Sequence, residues 1–266
     1  MNAIPPADPD AALGRVRLAI EGPVARLTFD RPAARNAMTW RMYEELVDAC
    51  AAIEANHAVR VAVLRGAGGR AFVAGTDIEQ FRAFTSGEDA VAYERKIERY
   101  ISGLESLPVP TVAVVEGWAV GGGMAIANAC DLRLATPGAR FGVPVARTLG
   151  NCLSASNLRR LTGTLGVAMV KRMLLAAETP AAEEMPAGYV TVVAADELDI
   201  RVAELCERLA GLAPLTIRAT KEALNRLARD PVAEGSDLIR LVYGSADFRE
   251  GIEAFLAKRK PQWRGK

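Results

Sequence analysis

The sequence predicts an α/β protein, a sheet core with a helical rear, and three observations lead there. Short β-branched runs such as Thr111–Val115 recur through the first two thirds of the chain, separated by stretches with helical spacing. Among them stands Val114–Ala127, where a strand-like run meets Gly121-Gly122-Gly123 and then an apolar, Ala-rich stretch that reads as a helix. From Leu198 to the end the pattern is helical throughout. A mixed front and an all-helical rear imply strands covered by helices, with a helical region appended.

Arg15–Ile20 and Val24–Phe29 alternate apolar and polar residues around Glu21-Gly22-Pro23, a hairpin signal, and Asp30-Arg31-Pro32 ends the second strand. Thr39 then caps a helix running to about Ala55, with Met42, Leu46, Ala49, Cys50 and Ile53 near helical spacing. Val59–Leu64 reads as a strand and Gly66–Gly69 as a turn. Phe72–Ile78 repeats the strand, turn and helix-start sequence, with Asp77 as the cap. Ala90–Leu107 is a charged amphipathic helix that Pro108 and Pro110 end. After the glycines come a strand, Asp131–Ala135, the turn Pro137-Gly138, and the short Arg140-Phe141-Gly142. Leu153–Leu161 and Val167–Ala177 read as helices and Gly188–Val193 as a strand. Gly211, Pro214, Pro231 and Gly244 punctuate the helical rear. The domain reading is a flexible tail over 1–14, a core over 15–197 and a helical region over 198–266.

Composition excludes several classes of function. Half of the 266 residues are apolar and the formal net charge is +1, as in an ordinary soluble globular protein. Basic residues are interleaved with acids, which argues against a nucleic-acid partner. Cys50, Cys130, Cys152 and Cys206 lie far apart, without a CxxC and with only His57 to join them. Neither a metal site nor a disulfide framework is expected, and the pattern suits a reducing, cytoplasmic compartment. His57 falls between a helix and a strand and reads as a surface residue. The longest apolar stretch, Thr111–Cys130, is broken by Glu116 and the glycines, so no membrane span is expected. Met1–Asp10 has prolines and acids but no basic or apolar leader region, which reads as a loose tail rather than a signal peptide.

A strand, a Gly-rich turn and a helix start put unpaired N–H groups at the positive end of a helix dipole. Such a place holds an anion, or an oxygen that becomes anionic during a reaction. The alternative is that the glycines only let the helix approach its neighbours closely. Two such places, Ala74–Ile78 and Glu116–Met124, stand in one chain. Together they resemble the enoyl-CoA hydratase/isomerase (crotonase) superfamily. Its signatures are matched in order by Arg31-Pro32 with Asn36-Ala37, by Ala71-Phe72-x-Ala74-Gly75-x-Asp77-Ile78, and by Gly117 through Gly123. Cys130-Asp131-Leu132, Phe141-Gly142-x-Pro144, Asp247–Gly251 and Ala254–Pro261 follow.

The resemblance implies a crotonase-like spiral of ββα units with a C-terminal helical trimerisation region, assembled as a homotrimer or a hexamer of paired trimers. It implies an acyl-CoA substrate and no metal or redox cofactor. By position, the backbone N–H groups of Thr76 and Gly122 form the oxyanion hole, each such donor being worth about 3 kcal/mol. Similarity places Arg35, Ala74, Asp77, Ile78, Trp118 and Pro144 along the bound thioester, with Ala74 at the adenine. Lys258 would reach a CoA phosphate from a neighbouring subunit. For Arg35 and Lys258, a plain solvated charge is the competing reading.

The sequence departs from the family at its catalytic carboxylates. Hydratases hold and deprotonate water with two of them, at positions occupied here by Ala125 and Val145. Neither residue can move a proton, so ordinary hydratase activity is expected to be weak or absent. The replacement candidates lie in Val145–Cys152, one residue longer than in hydratases: Arg147, Asn151 and Cys152. Asn128, one turn past Ala125, is a fourth candidate and would face the pocket. Cys152 as a nucleophile needs a cation such as Arg147 to depress its pKa, and a buried packing cysteine is the favoured reading. Arg147 suits a substrate carboxylate or, equally, an ion pair within the loop. Glu116, where the family has Asn, reads as structural. Two functions from different classes remain open, an enzyme of thioester enolates (a crotonase-type decarboxylase or thioesterase included) and a non-catalytic acyl-CoA-binding protein.

Overall fold

The structure, a computed structural model, describes residues 13–266, so residues 1–12 of the segment read as a tail lie outside the described residues. Among the described residues two sheets carry the chain. The larger runs in the order β1 (Arg15–Glu21), β2 (Val24–Asp30), β3 (Val61–Gly66), β5 (Thr111–Val115), β7 (Leu132–Ala135), β9 (Thr191–Val192). Only β1 and β2 are antiparallel, joined by the tight turn at Gly22-Pro23. The smaller sheet holds β4 (Ala71–Ala74), β6 (Trp118–Val120) and β8 (Arg140–Gly142), all parallel.

The two sheets are linked by a repeated step. A strand of the large sheet turns a corner into a strand of the small one and then enters a helix. β3 and β4 lead to α2 (Gly87–Glu105), β5 and β6 to α3 (Gly122–Ala129), β7 and β8 to α4 (Ala155–Leu174). This is the spiral of ββα units that the resemblance implied. The sequence reading missed β6, because three residues between Gly117 and Gly121 carry no measurable period. The corner itself explains Gly117: its φ is +67° and a Cβ there would overlap the Arg70 carbonyl.

Burial follows from this layering. β3 and β5 are covered on both faces, which is why they read as unbroken apolar runs. One face packs on α1 (Trp40–Ala55), α2 and α3 through Leu27, Phe29, Leu46, Ile101 and Ile126. The other face is closed by α5 (Leu198–Ala210), whose Leu198, Val202, Leu205 and Cys206 rest on Val61, Val63, Val112 and Val114. Fully burying such a side chain contributes about 1.5–3 kcal/mol. The first helix of the rear region thus completes the sheet core. α6 (Pro214–Arg229) is tied to it as well: Lys221 Nζ reaches Asp131 Oδ2 at 2.7 Å and the Val109 carbonyl at 3.1 Å. α7 (Ser236–Tyr243) and α8 (Ala246–Leu256) end the chain's helices.

Several boundaries moved. The strand expected over Val59–Leu64 pairs instead over Val61–Gly66. α2 begins three residues earlier than expected because Ser86 and Asp89 form a capping box. After β4, Asp77 does cap a helical segment, accepting from the Glu79 N–H, but the segment is a 3₁₀ helix, Ile78–Ala83. The two helices read over 153–177 are one element broken at Gly166, where φ is +73° and ψ is 155°. Gly188–Val193 shrinks to the two paired residues of β9.

Candidate active site

Both predicted N–H donors lie where the two sheets and helices α1–α3 converge. Thr76 follows β4 and is bridged to Met38 in parallel fashion: the Met38 N–H donates to the Gly75 carbonyl and the Asp77 N–H to the Met38 carbonyl, each at 2.9 Å. Those bonds fix the backbone on either side of Thr76. Gly121, with φ +56° and ψ −120°, is the cap residue before α3, and Gly122 is that helix's first residue. The turn is pressed against β4, since a Cβ on Gly123 would overlap the Val73 carbonyl. Gly122 is equally close to its surroundings. A Cβ there would stand 2.7 Å from Tyr43 Oη and 3.1 Å from Thr76 Oγ1. The two donor residues are therefore neighbours, as the oxyanion-hole reading requires.

A chain of hydroxyls that the sequence did not reveal anchors the Thr76 side of the pair. Thr76 Oγ1 is hydrogen-bonded to Tyr43 Oη at 2.8 Å and to Tyr93 Oη at 3.2 Å. Tyr43 comes from α1 and is fully buried, stacked on Tyr100 with ring centroids 5.3 Å apart. Burial pushes its phenol far above the usual range, and the charge of Glu94 adds to the shift. Burial also pushes Tyr93 up to about 12, against the hydrogen bond from Thr76 and with Glu94 reinforcing it. Both phenols stay protonated at neutral pH, so they can serve as donors. The threonine side chain, expected only to be tolerated at position 76, is a joint between two helices.

Beside Tyr93 opens a cavity of about 870 Å³, walled by α2, the 3₁₀ segment and the loop before α4. Phe81, Phe84 and Tyr93 form its aromatic side, meeting edge to face with centroids 5.0–5.8 Å apart. Leu149 and Leu153 add apolar surface, while Glu94, Asn151 and Cys152 bring polar atoms. A space of this size and lining suits the acyl part of a thioester.

The candidate replacements divide. Asn151 and Cys152 do reach this cavity, and Cys152 is exposed, which corrects the expectation of a buried packing cysteine. The loop Pro144–Gly150 winds back on itself, with the N–H groups of Arg147 and Gly150 bonded to the carbonyls of Pro144 and Val145, and this turns Cys152 outward. Arg147 is exposed, and among the described residues it makes no ion pair, so the loop-stabilising alternative has no partner. Asn128 does not face the cavity. It is buried, and its Oδ1 accepts from Thr164 Oγ1 at 2.7 Å, so it ties α3 to α4. Ala125 and Val145 are half-buried and pack on the core, leaving no titratable group at either position.

The remaining site residues fall as follows. The Ala74 N–H donates to the Arg35 carbonyl at 3.0 Å, which brings those two together, and Arg35 is exposed in a left-handed conformation. Asp77 pairs with Arg31 at 2.7 Å, Ile78 is 58% exposed, and Trp118 is exposed on β6. Pro144 anchors the loop turn, and Lys258 is exposed just past α8. Glu116 is paired with Arg65 at 2.6 Å, in keeping with a structural role, and His57 is on the surface.

Comparison with known proteins places this geometry. Residues 19–266 match the family model described as enoyl-CoA hydratase/isomerase. A probable enoyl-CoA hydratase of Bacillus subtilis is 32% identical over 263 residues, covering 95% of this chain and all of that protein. An (E)-benzylidenesuccinyl-CoA hydratase of Thauera aromatica is 33% identical, over 94% of this chain and 99% of that one. Among solved structures, an enoyl-CoA hydratase/carnithine racemase from Magnetospirillum magneticum superposes with a TM-score of 0.87 at 32% identity, covering 96% of this chain and 98% of that one.

Proposed function

Because the chain belongs to the enoyl-CoA hydratase/isomerase family, we propose that it binds an acyl-CoA thioester and stabilises its enolate. What supports this reading is that Gly122 lies against Thr76, whose side chain is bonded to Tyr43 and Tyr93 beside an acyl-sized cavity. Removing a proton next to a thioester carbonyl leaves negative charge on its oxygen. On this proposal the Thr76 and Gly122 N–H groups face that oxygen and need not reorganise as the charge forms, each contributing about 3 kcal/mol. The CoA portion is assigned to the Arg35–Ala74 edge and to Lys258 of a neighbouring subunit, in a trimer or hexamer. The protein's setting is proposed to be cytoplasmic; among the described residues no helix is long and apolar enough to cross a membrane.

The reaction itself is argued to differ from simple hydration. With Ala125 and Val145 in place of the two carboxylates, nothing at those points can hold or deprotonate water. Each lost acid–base group costs about 10²–10⁴-fold. We expect crotonyl-CoA hydration, followed by the loss of enoyl absorbance, to stay far below the roughly 10–10³ per second of efficient enzymes. A rate within that range would overturn the reading. Incubation with a panel of acyl-CoAs, malonyl and β-hydroxy types included, read by mass spectrometry, tests the proposal as a whole. Failure to bind any of them at millimolar concentration would leave the family's fold without its chemistry.

A further inference from the structure

We propose that Glu94 is the proton-transferring carboxylate of this site, supplied from α2 rather than from the two vacated family positions, neither of which lines the cavity. The proposal rests on the acyl-CoA reading above and names the group that reading lacks.

Two carboxylates line the cavity among the described residues, Glu94 and Glu98. Glu98 is already occupied. It accepts from Arg160 Nη1 at 2.7 Å and Nη2 at 2.6 Å, from Ser156 at 2.6 Å and from Ser102 at 2.8 Å. Burial would raise its carboxyl, but Arg160 and the hydroxyls outweigh that and hold it at about 2. A group so acidic is a poor base at neutral pH. Glu94 is different. Its Oε2 accepts the Ser154 N–H at 3.2 Å, and among the described residues it has no ion pair. The Ser154 contact fixes its direction and leaves lone pairs for a substrate proton.

Its position connects it to the oxyanion donors. Glu94 adjoins Tyr93, whose hydroxyl touches the Thr76 side chain, and both line the same cavity. The charge of Glu94 reaches Tyr43 as well, the residue against the Gly122 turn. Arg95 and the Glu98–Arg160 pair are the other charged groups of this wall.

The step balances within the substrate and Glu94 alone. A Glu94 carboxylate oxygen takes a proton from the acyl α-carbon. The C–H electron pair becomes the enolate C=C bond, and the carbonyl π pair moves to the thioester oxygen facing the Thr76 and Gly122 N–H groups. Reversal returns the proton to carbon, and the carboxyl exchanges it with solvent meanwhile.

The probe is phenylacetyl-CoA in D₂O, whose ring suits the Phe81–Phe84–Tyr93 side. Deuterium at the α-carbon is followed by mass spectrometry, and binding is followed by calorimetry. Glu94→Gln keeps an oxygen for the Ser154 N–H, so the fold should hold. We expect wild-type exchange, a loss of at least about 10²-fold in Glu94→Gln, and a Kd unchanged within about threefold. Adding Ala125→Glu to Glu94→Gln should restore part of the exchange from the family's own position. Exchange at the wild-type rate in folded Glu94→Gln would overturn the assignment while leaving the acyl-CoA reading intact. Binding without any exchange by the wild type would also overturn it. Absence of binding by the wild type would remove the acyl-CoA reading together with this one.

Discussion

Gly122→Ala is expected to lower turnover of the protein's acyl-CoA substrate by about 10²-fold while the protein stays folded. The cause is one carbon atom. A Cβ at this position stands 2.7 Å from Tyr43 Oη and 3.1 Å from Thr76 Oγ1, closer than side chains tolerate. Tyr43 is fully buried and stacked on Tyr100, so it cannot swing aside. The first turn of α3 must move instead, and the Gly122 N–H moves with it, away from its Thr76 counterpart. Tyr43→Phe removes the oxygen that the new carbon strikes. The double variant should therefore recover part of the loss, though Tyr43→Phe alone leaves Thr76 with one hydroxyl partner fewer. The check is steady-state kinetics beside a circular dichroism spectrum and melting curve. Turnover within about threefold of wild type in folded Gly122→Ala would remove Gly122 from the oxyanion hole.

Arg160→Met is expected to cost stability heavily. The guanidinium has a side-chain exposure of 5% and joins Glu98 to Glu105. Glu105 keeps Arg229 at 3.1 Å, but Glu98 loses its cation. Removing one partner of such a buried pair costs about 3–5 kcal/mol, a fall of about 10 °C in a chain of this size. The pH dependence follows from Glu98. Its folded pKa is held near 2, below the ordinary 4.5, so its contribution is full above about 4.5 and is lost as pH falls toward 2. In the variant that contribution is absent, and protonating the stranded carboxyl relieves the fold. The gap between wild-type and variant melting temperatures should narrow from pH 7 to pH 3. A gap that is constant with pH, or one under about 3 °C at pH 7, would contradict this account.

How much of this was legible beforehand depended on whether a feature is local. Thr111–Val115, the capped helix over Trp40–Ala55 and the Gly121–Gly123 turn declare themselves within a few residues, and each stands where it was read. Gly211, Pro214 and Gly244 likewise fall at helix ends in the rear region. Thr76 and Gly122 were singled out through motif order, and the fold brings those two residues close together. The hydroxyl chain was invisible because Tyr43, Thr76 and Tyr93 come from three elements. Glu94 was hidden for another reason: α2 carries charges at nearly every turn, and nothing in its periodicity singles out one acid. Cys152 and Asn128 were misjudged because sequence spacing does not fix loop winding or helix rotation. Pro144–Gly150 is wound up by its own backbone bonds, and Thr164 claims Asn128.

The unequal setting of the four thiols gives the molecule a built-in reporter. Cys50 and Cys130 are buried and pushed up to about 12, and burial raises Cys206 too, so none of the three offers an accessible thiolate at neutral pH. Cys152 stands exposed on the cavity wall, a few residues from the Ser154 N–H that steers Glu94. An alkylating dye should therefore mark one site per chain, and its rate of attachment becomes a footprint of occupancy. A ligand whose acyl group fills the space beside Phe81 and Tyr93 would shield that sulfur, whereas CoA alone, if it binds along the Arg35–Ala74 edge as proposed, would leave it open. The natural chain can thus distinguish head from tail in whatever it binds, with no label introduced by mutation.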